Sequence, residues 1–365
     1  MATEVEAAQR DALAERLFGA ALGAYELLTV HLGDRLGFYR ALAERDDATP
    51  PELAAATRTD ERYAREWLEQ QAVAGILEVD DLEAAAEERR YRLPTGHAEV
   101  LSDRDLDSLA HVTPMARLGV SFAHALPAVE EAFRTGGGVP WEDYGELGRE
   151  AQGDANRPLF ANLLGSDWLP AIPDVHERLL ADPPARVADV ACGAGWSSLA
   201  IARAYPKATV DGYDLDEASV EVARANAAGT DVEDRVSFHL RDAGDPELAG
   251  SYQLVTVFEA LHDMSRPVDV LRALRGLVAE DGAVIVMDER VADAFTAPGD
   301  EIERLMYTYS VLCCLPVGLA ETPSAATGTV MRTDTMRRYA AEAGFAEVEV
   351  LPVEHEIFRF YRLRG

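Results

Sequence analysis

The chain has 365 residues, with 65 acidic side chains against 34 basic ones and a formal net charge of −31. Its length is enough for two domains with sizeable cores, and 48% hydrophobic residues is ordinary for a folded protein. So negative a chain repels nucleic-acid phosphates and anionic bilayers, and no apolar run reaches the roughly 20 residues a membrane helix needs. Three cysteines, Cys192, Cys313 and Cys314, cannot make a disulfide framework. Cys313 and Cys314 are adjacent and could be ligands, but no Cys or His stands at zinc-like spacing around them, so they read as small apolar core residues and no metal is expected. Met1 to Arg10 is acidic and alanine-rich, without the basic and apolar segments of a secretory signal, and a cytoplasmic location is expected.

In chain order, residues 1–18 read as an amphipathic helix or a loose arm. A helical run follows from Ala20, then Thr49 as an N-cap ahead of Pro50 and Pro51. A further helix spans Asp60 to Ile76, with Tyr63, Trp67, Leu68, Val73 and Ile76 roughly on one face. Residues 75–79 and 90–93 read as two short strands around an acidic loop. Three helices and a hairpin make a winged-helix pattern, which usually signals DNA binding. Here the would-be recognition helix, 60–69, carries mixed charges, and without excess Lys or Arg counterion release cannot drive DNA affinity. Subunit contact is the expected role. Residues 102–184 are mostly helical, interrupted by Gly136-Gly137-Gly138-Val139-Pro140-Trp141, a mobile loop or cover. The expected organisation is a winged-helix part (1–101), a helical linker and substrate-cavity region (102–184), and an α/β domain (185–365).

From Arg186, strands at 186–191, 208–213, 235–241, 252–258 and 283–288 alternate with helices at 196–205, 217–228 and 267–280 and a short turn at 245–249. Such alternation builds a Rossmann-like, doubly wound parallel sheet. A helix at 334–343 and strands at 345–352 and 355–363 close the chain as a hairpin, giving seven strands with the last antiparallel.

The first of these strands ends in Asp189-Val190-Ala191-Cys192-Gly193-Ala194-Gly195, and a helix starts at once. Glycine permits tight turns and close approach of a ligand, and the helix N-terminus offers free N–H groups. Asp214 ends the second strand, where a carboxylate can accept from both ribose hydroxyls. Asp242 ends the third, placed for an adenine amino group. Asp189 suits an ammonium group and repels a pyrophosphate. Ser198 stands where a dinucleotide fingerprint needs its third glycine. Glycine pair, Asp214 and Asp242 together point to S-adenosylmethionine, although either aspartate alone would read as a helix cap or a loop acid.

On these residues the chain resembles the class I S-adenosylmethionine-dependent methyltransferases. Residues 189–195 are similar to the family's D-x-G-C-G-x-G turn, with Ala191 in place of the commoner first glycine. With its front module the whole chain is similar to the small-molecule O-methyltransferases of bacteria and plants, and its ending Phe358-Arg359-Phe360-Tyr361-Arg362-Leu363 resembles a bacterial branch. The resemblance implies a homodimer built by the winged-helix module, a small-molecule methyl acceptor, and neither a nucleic-acid nor a membrane partner. It implies that Gly193 and Gly195, with Ala191 and Cys192 beside them, wrap the methionine part. Asp214 and neighbouring Leu215 would hold the ribose, and Asp242-Ala243 the adenine. His262-Asp263 resembles the H-D-W segment whose histidine is the general base, with Met264 where tryptophan is common.

The loop after the fourth strand, Phe258 to Met264, reaches the same edge of the sheet. A sulfonium already carries a good leaving group, so the protein must add alignment and a route for the acceptor's proton. A histidine at His262 serves as that base; otherwise it caps or packs. Asp263 either orients His262 or caps the helix near Pro267. Phe258 and Trp196 touch cofactor or pack in the core, and the apolar segment 303–332 forms an acceptor-pocket wall or a dimer interface. Methyl transfer to oxygen of a small apolar or aromatic molecule is the leading expectation. Transfer to carbon or nitrogen, a ligand-sensing regulator, and a bound cofactor serving another reaction are the alternatives.

Overall fold

A computed structural model describes residues 3–102, 106–242, 244–245 and 250–365. The chain divides into two units, residues 1–120 and 121–365, so the helical stretch 102–184 is shared between them.

In the first unit, Thr3 and Glu6 exchange hydrogen bonds in a capping box that opens helix Glu4–Arg35. This helix runs straight through the break expected near residue 18, because no proline interrupts it and its glycines cost only about 1 kcal/mol each. Thr49 caps Pro50–Thr57 through a second capping box with Glu52. Asp60 caps Glu61–Val73, whose buried stripe is Ala64, Trp67, Leu68 and Gln71. Tyr63 and Val73 stand off that stripe, 79% and 90% exposed, contrary to the face expected for them. Helical spacings of three and four join 64, 67, 68 and 71 and leave 63 and 73 outside the arc. Strands β1 (Glu78–Val79) and β2 (Tyr91–Arg92) pair antiparallel as the wing. Trp67 sits at the centre of this core, its ring 4.7 Å from Phe38 and 5.2 Å from Tyr39.

In the second unit, β3 (Arg186–Val190), β4 (Thr209–Asp214), β5 (Val236–Leu240), β6 (Tyr252–Phe258), β7 (Val278–Glu289), β8 (Glu347–Val350) and β9 (Phe358–Arg364) form one sheet in the order β5-β4-β3-β6-β7-β9-β8. β3 to β7 are parallel neighbours, and β9 runs antiparallel between β7 and β8. Apolar clusters cover both faces, which is why β3 reads as a nearly continuous apolar run. β7 starts five residues earlier than expected, since Val278 pairs with Tyr252 across an irregularity in the ladder. The turn expected at 245–249 lies mostly outside the described residues. Between β3 and β6 the strand order reverses, which opens a crevice at the carboxyl ends of the strands.

The glycine run at 136–138 is tied down rather than loose. Val139 N–H donates to the Pro316 carbonyl at 2.9 Å. A Cβ at Gly138 would lie 2.2 Å from Ala320 N and 2.4 Å from Pro316 O, both backbone atoms that cannot turn aside. Gly138→Ala is therefore expected to cost about 3 kcal/mol, seen as a fall in Tm of roughly 6–12 °C. A Tm within about a degree of the parent's would show that the segment yields.

Candidate active site

β3 leads into a turn in which Ala191, Gly193 and Gly195 all take left-handed backbone, with φ of 56°, 51° and 78°. Ala191 carries a left-handed cost of about 1–2 kcal/mol that glycine would avoid. Gly195 is closed in from behind: a Cβ there would meet the Phe238 ring at 2.7 Å and Ala223 at 3.0 Å. Gly193 is open in front, with no atom within 4 Å of where a Cβ would stand. Helix Trp196–Ala204 has no side-chain cap, so its first N–H groups are left for a ligand or solvent.

The acidic residues divide by role. Asp214 Oδ2 accepts from Gly193 N–H at 2.8 Å and Oδ1 from Asp216 N–H at 2.9 Å. Burial pushes its carboxyl pKa up despite these bonds. Each oxygen keeps a lone pair for a further donor. Asp242 Oδ1 accepts from Gly244 N–H at 2.7 Å, and Oδ2 pairs with Arg266 at 3.1 Å. Ala243 lies outside the described residues. Asp189 is only 1% exposed and accepts from Ser197, Ser198 and Thr256 hydroxyls at 2.6, 2.6 and 2.8 Å. Three hydroxyls thus enclose this carboxylate, and through Ser197 and Ser198 it anchors the start of the helix and thereby the turn. Cys192 is buried, beside Gly212, so only its backbone is available to a ligand. Phe258 packs in the core, 5.8 Å from Phe160, and Trp196 lies under the Arg157 guanidinium at 4.3 Å. Leu215, 62% exposed, stands beside Asp214.

After β6, Glu259 turns the chain with a left-handed φ of 51°, and the single turn Leu261–Asp263 follows. His262 is 2% exposed, and its Nδ1 lies 2.9 Å from both Asp288 Oδ1 and Glu289 Oε2 at the end of β7. Burial alone would lower its pKa; Glu289 and Asp288 overcome that and hold it well above the ordinary histidine value. Burial raises Asp263 to about 8 and Glu259 to about 7. Glu259 also accepts from Asn156 at 2.5 Å and Gln152 at 3.3 Å. Cys314 stands within 4.8 Å of His262 and Asp263. Sequence reasoning missed Glu259, Asp288, Glu289 and Cys314. Asp288-Glu289 carried the same signal as Asp214 and Asp242, acids at a strand's carboxyl end; Cys314 showed only as one of two adjacent cysteines without ligand spacing around them.

Residues 181–342 match a family model described as "Methyltransferase domain", and residues 20–103 match "Rv2258c-like winged HTH domain". The chain thus carries a methyltransferase domain over residues 181–342. More particularly, it joins that domain to an N-terminal winged helix-turn-helix module. Over 103 residues it is 35% identical to a ubiquinone biosynthesis O-methyltransferase of Marinobacter nauticus, covering 28% of this chain and 42% of that one. The counterpart in Bordetella avium is 37% identical over 133 residues, 35% and 50% of the two chains. The chain therefore spans half or less of these curated relatives' length. In fold it is similar to human N-acetylserotonin methyltransferase, solved in complex with SAM, with a TM-score of 0.73 at 17% identity over 96% and 97% of the two chains. Among the described residues no helix is long and apolar enough to cross a membrane.

Proposed function

We propose that the chain transfers a methyl group from S-adenosylmethionine to an oxygen of a small apolar or aromatic molecule, with His262 receiving the acceptor's proton. The observation that carries this reading is the buried His262 imidazole, held on Asp288 and Glu289 at the carboxyl edge shared with the glycine turn.

The fit to the cofactor rests on the turn itself. Gly193 leaves open the space a Cβ would take, and Asp214 keeps acceptor capacity beside it. In this reading Gly193, Gly195 and the backbone of Ala191 and Cys192 hold the methionine part. Asp214 and Leu215 hold the ribose, Asp242 with Ala243 the adenine, and Asp189 acts through the turn it anchors. Bound there, S-adenosylmethionine supplies a methyl group on a sulfonium. The chain's own task is to align the acceptor and take its proton. A phenol with pKa ~10 would yield its proton to an ordinary histidine, ~6.5, at a cost of about 5 kcal/mol. The carboxylates behind Nδ1 make the imidazole a stronger base and narrow that gap. Half-buried Tyr309 and Leu312 supply an apolar wall that suits such an acceptor.

Incubation with a panel of phenols, amines and enolisable compounds tests the accepting atom. Release of S-adenosylhomocysteine with methylated phenols, located by mass spectrometry, is the expected result. Exclusive N- or C-methylation would overturn the oxygen assignment, and a sequence-specific gel shift with no turnover would favour a regulator. We also read the first unit as a dimerisation module, since helix Glu4–Arg35 exposes Leu13, Leu17, Phe18, Leu22 and Tyr25, each at least 48% exposed. Sedimentation should find a dimer; a monomer at micromolar concentration would contradict it.

A further inference from the structure

We propose that His262, Asp263 and Cys314 form a binding site for a thiophilic divalent cation of the zinc kind. A ring nitrogen of His262, a carboxylate oxygen of Asp263 and Sγ of Cys314 all lie within 4.8 Å of one another. Imidazole, carboxylate and thiolate are zinc's donor types, and three protein ligands are the number a site keeps when its fourth position stays open. Here the open side is physical: His262 is buried at the back, while Asp263 and Cys314 are only partly buried.

The fold fixes this meeting. Asp263 follows His262 in one tight turn, and Cys314 ends the segment Ser310–Cys314, 51 residues farther along. Ser265 Oγ donates to the Gly318 carbonyl at 2.9 Å, and a Cβ at Gly318 would stand 3.2 Å from the Asp263 carbonyl oxygen, so the two segments are fastened beside the site. No local spacing announces such a set, because one ligand is remote from the other two.

Two independent observations point to a cation. The Nδ1 of His262 is already engaged by Asp288 at 2.9 Å, which leaves Nε2 as the ligand and supplies the carboxylate–imidazole pair that orients metal-binding histidines. Asp288 Oδ2 is buried without a hydrogen-bond partner in a residue wholly closed to solvent. A buried anionic oxygen left unpaired is costly, and positive charge on the imidazole's far side offsets that cost.

The consequence for turnover rests on the function proposed above. The same Nε2 that would ligate the cation would take the acceptor's proton, so bound metal and proton transfer exclude each other.

Cobalt(II) serves as the probe, titrated into the full chain. The expected result is one Co²⁺ per chain with an ultraviolet thiolate-to-cobalt absorption band. Cys314→Ser should abolish the band, and Cys313→Ser should keep it. Asp288→Asn should keep the band while weakening binding about 10–100-fold. No saturable binding, or a band that survives Cys314→Ser, would overturn the site. Methyl transfer measured in the same samples separates the two ideas: turnover that continues with cobalt bound leaves the site standing and removes His262 from the base role.

Discussion

His262→Ala is expected to lower turnover by about 10²–10⁴-fold, the usual worth of a positioned acid or base, while affinity for S-adenosylhomocysteine stays within about twofold. The two effects separate because His262 sits in the loop after β6, whereas the groups proposed to hold the cofactor follow β3, β4 and β5. Alanine also leaves Asp288 and Glu289 buried without their partner, and breaking such a pair costs about 3–5 kcal/mol. His262→Gln is therefore the companion variant, since its amide N–H₂ can still donate to Asp288 but cannot take a proton at neutral pH. Initial rates with a saturating acceptor and calorimetric titration, made on both variants, decide the matter. If both are as fast as the parent on every accepted substrate, the base lies elsewhere, and Glu259 becomes the next candidate.

Asp214→Ala is expected to weaken S-adenosylhomocysteine binding by about 100-fold. Hydrogen bonds to a charged partner are worth about 1.5–3 kcal/mol each, and the variant loses those proposed to the ribose. It also frees the Gly193 and Asp216 N–H groups that Asp214 now receives, so the turn itself relaxes. Asp214→Asn retains one acceptor and should fall between the two. An affinity unchanged in Asp214→Ala would mean that the carboxylate is merely a turn-former, as its two backbone partners alone would allow.

The α/β half of this chain was legible because parallel strands buried on both faces leave plain apolar runs, and because strand-end acids stand out against them. The strands at 252–258 and the helix starts at Trp196, Glu217 and Pro267 fall where the pattern places them. The surroundings of Asp189 were not legible, because sequence shows a carboxylate but not the three hydroxyls that enclose it. Ser197 and Ser198 looked like ordinary first-turn residues, and Thr256 comes from another strand. Phe258 was undecidable from sequence, since packing against Phe160 requires a helix almost a hundred residues upstream to lie over β6. The meeting of Cys314 with His262 was invisible for a like reason: only the tertiary fold carries residue 314 to the turn at 261–263. The carboxylates behind His262 could have been read, had the end of β7 been treated like the ends of β4 and β5.

The central claim is that the crevice at β3, β4 and β5 grips an adenosine attached to sulfur. Calorimetric titration of the parent protein with S-adenosylhomocysteine tests it most directly. One molecule should bind per chain, with no binding of a nicotinamide or flavin dinucleotide under the same conditions. No heat with S-adenosylhomocysteine or S-adenosylmethionine, together with saturable binding of a dinucleotide, would contradict the account.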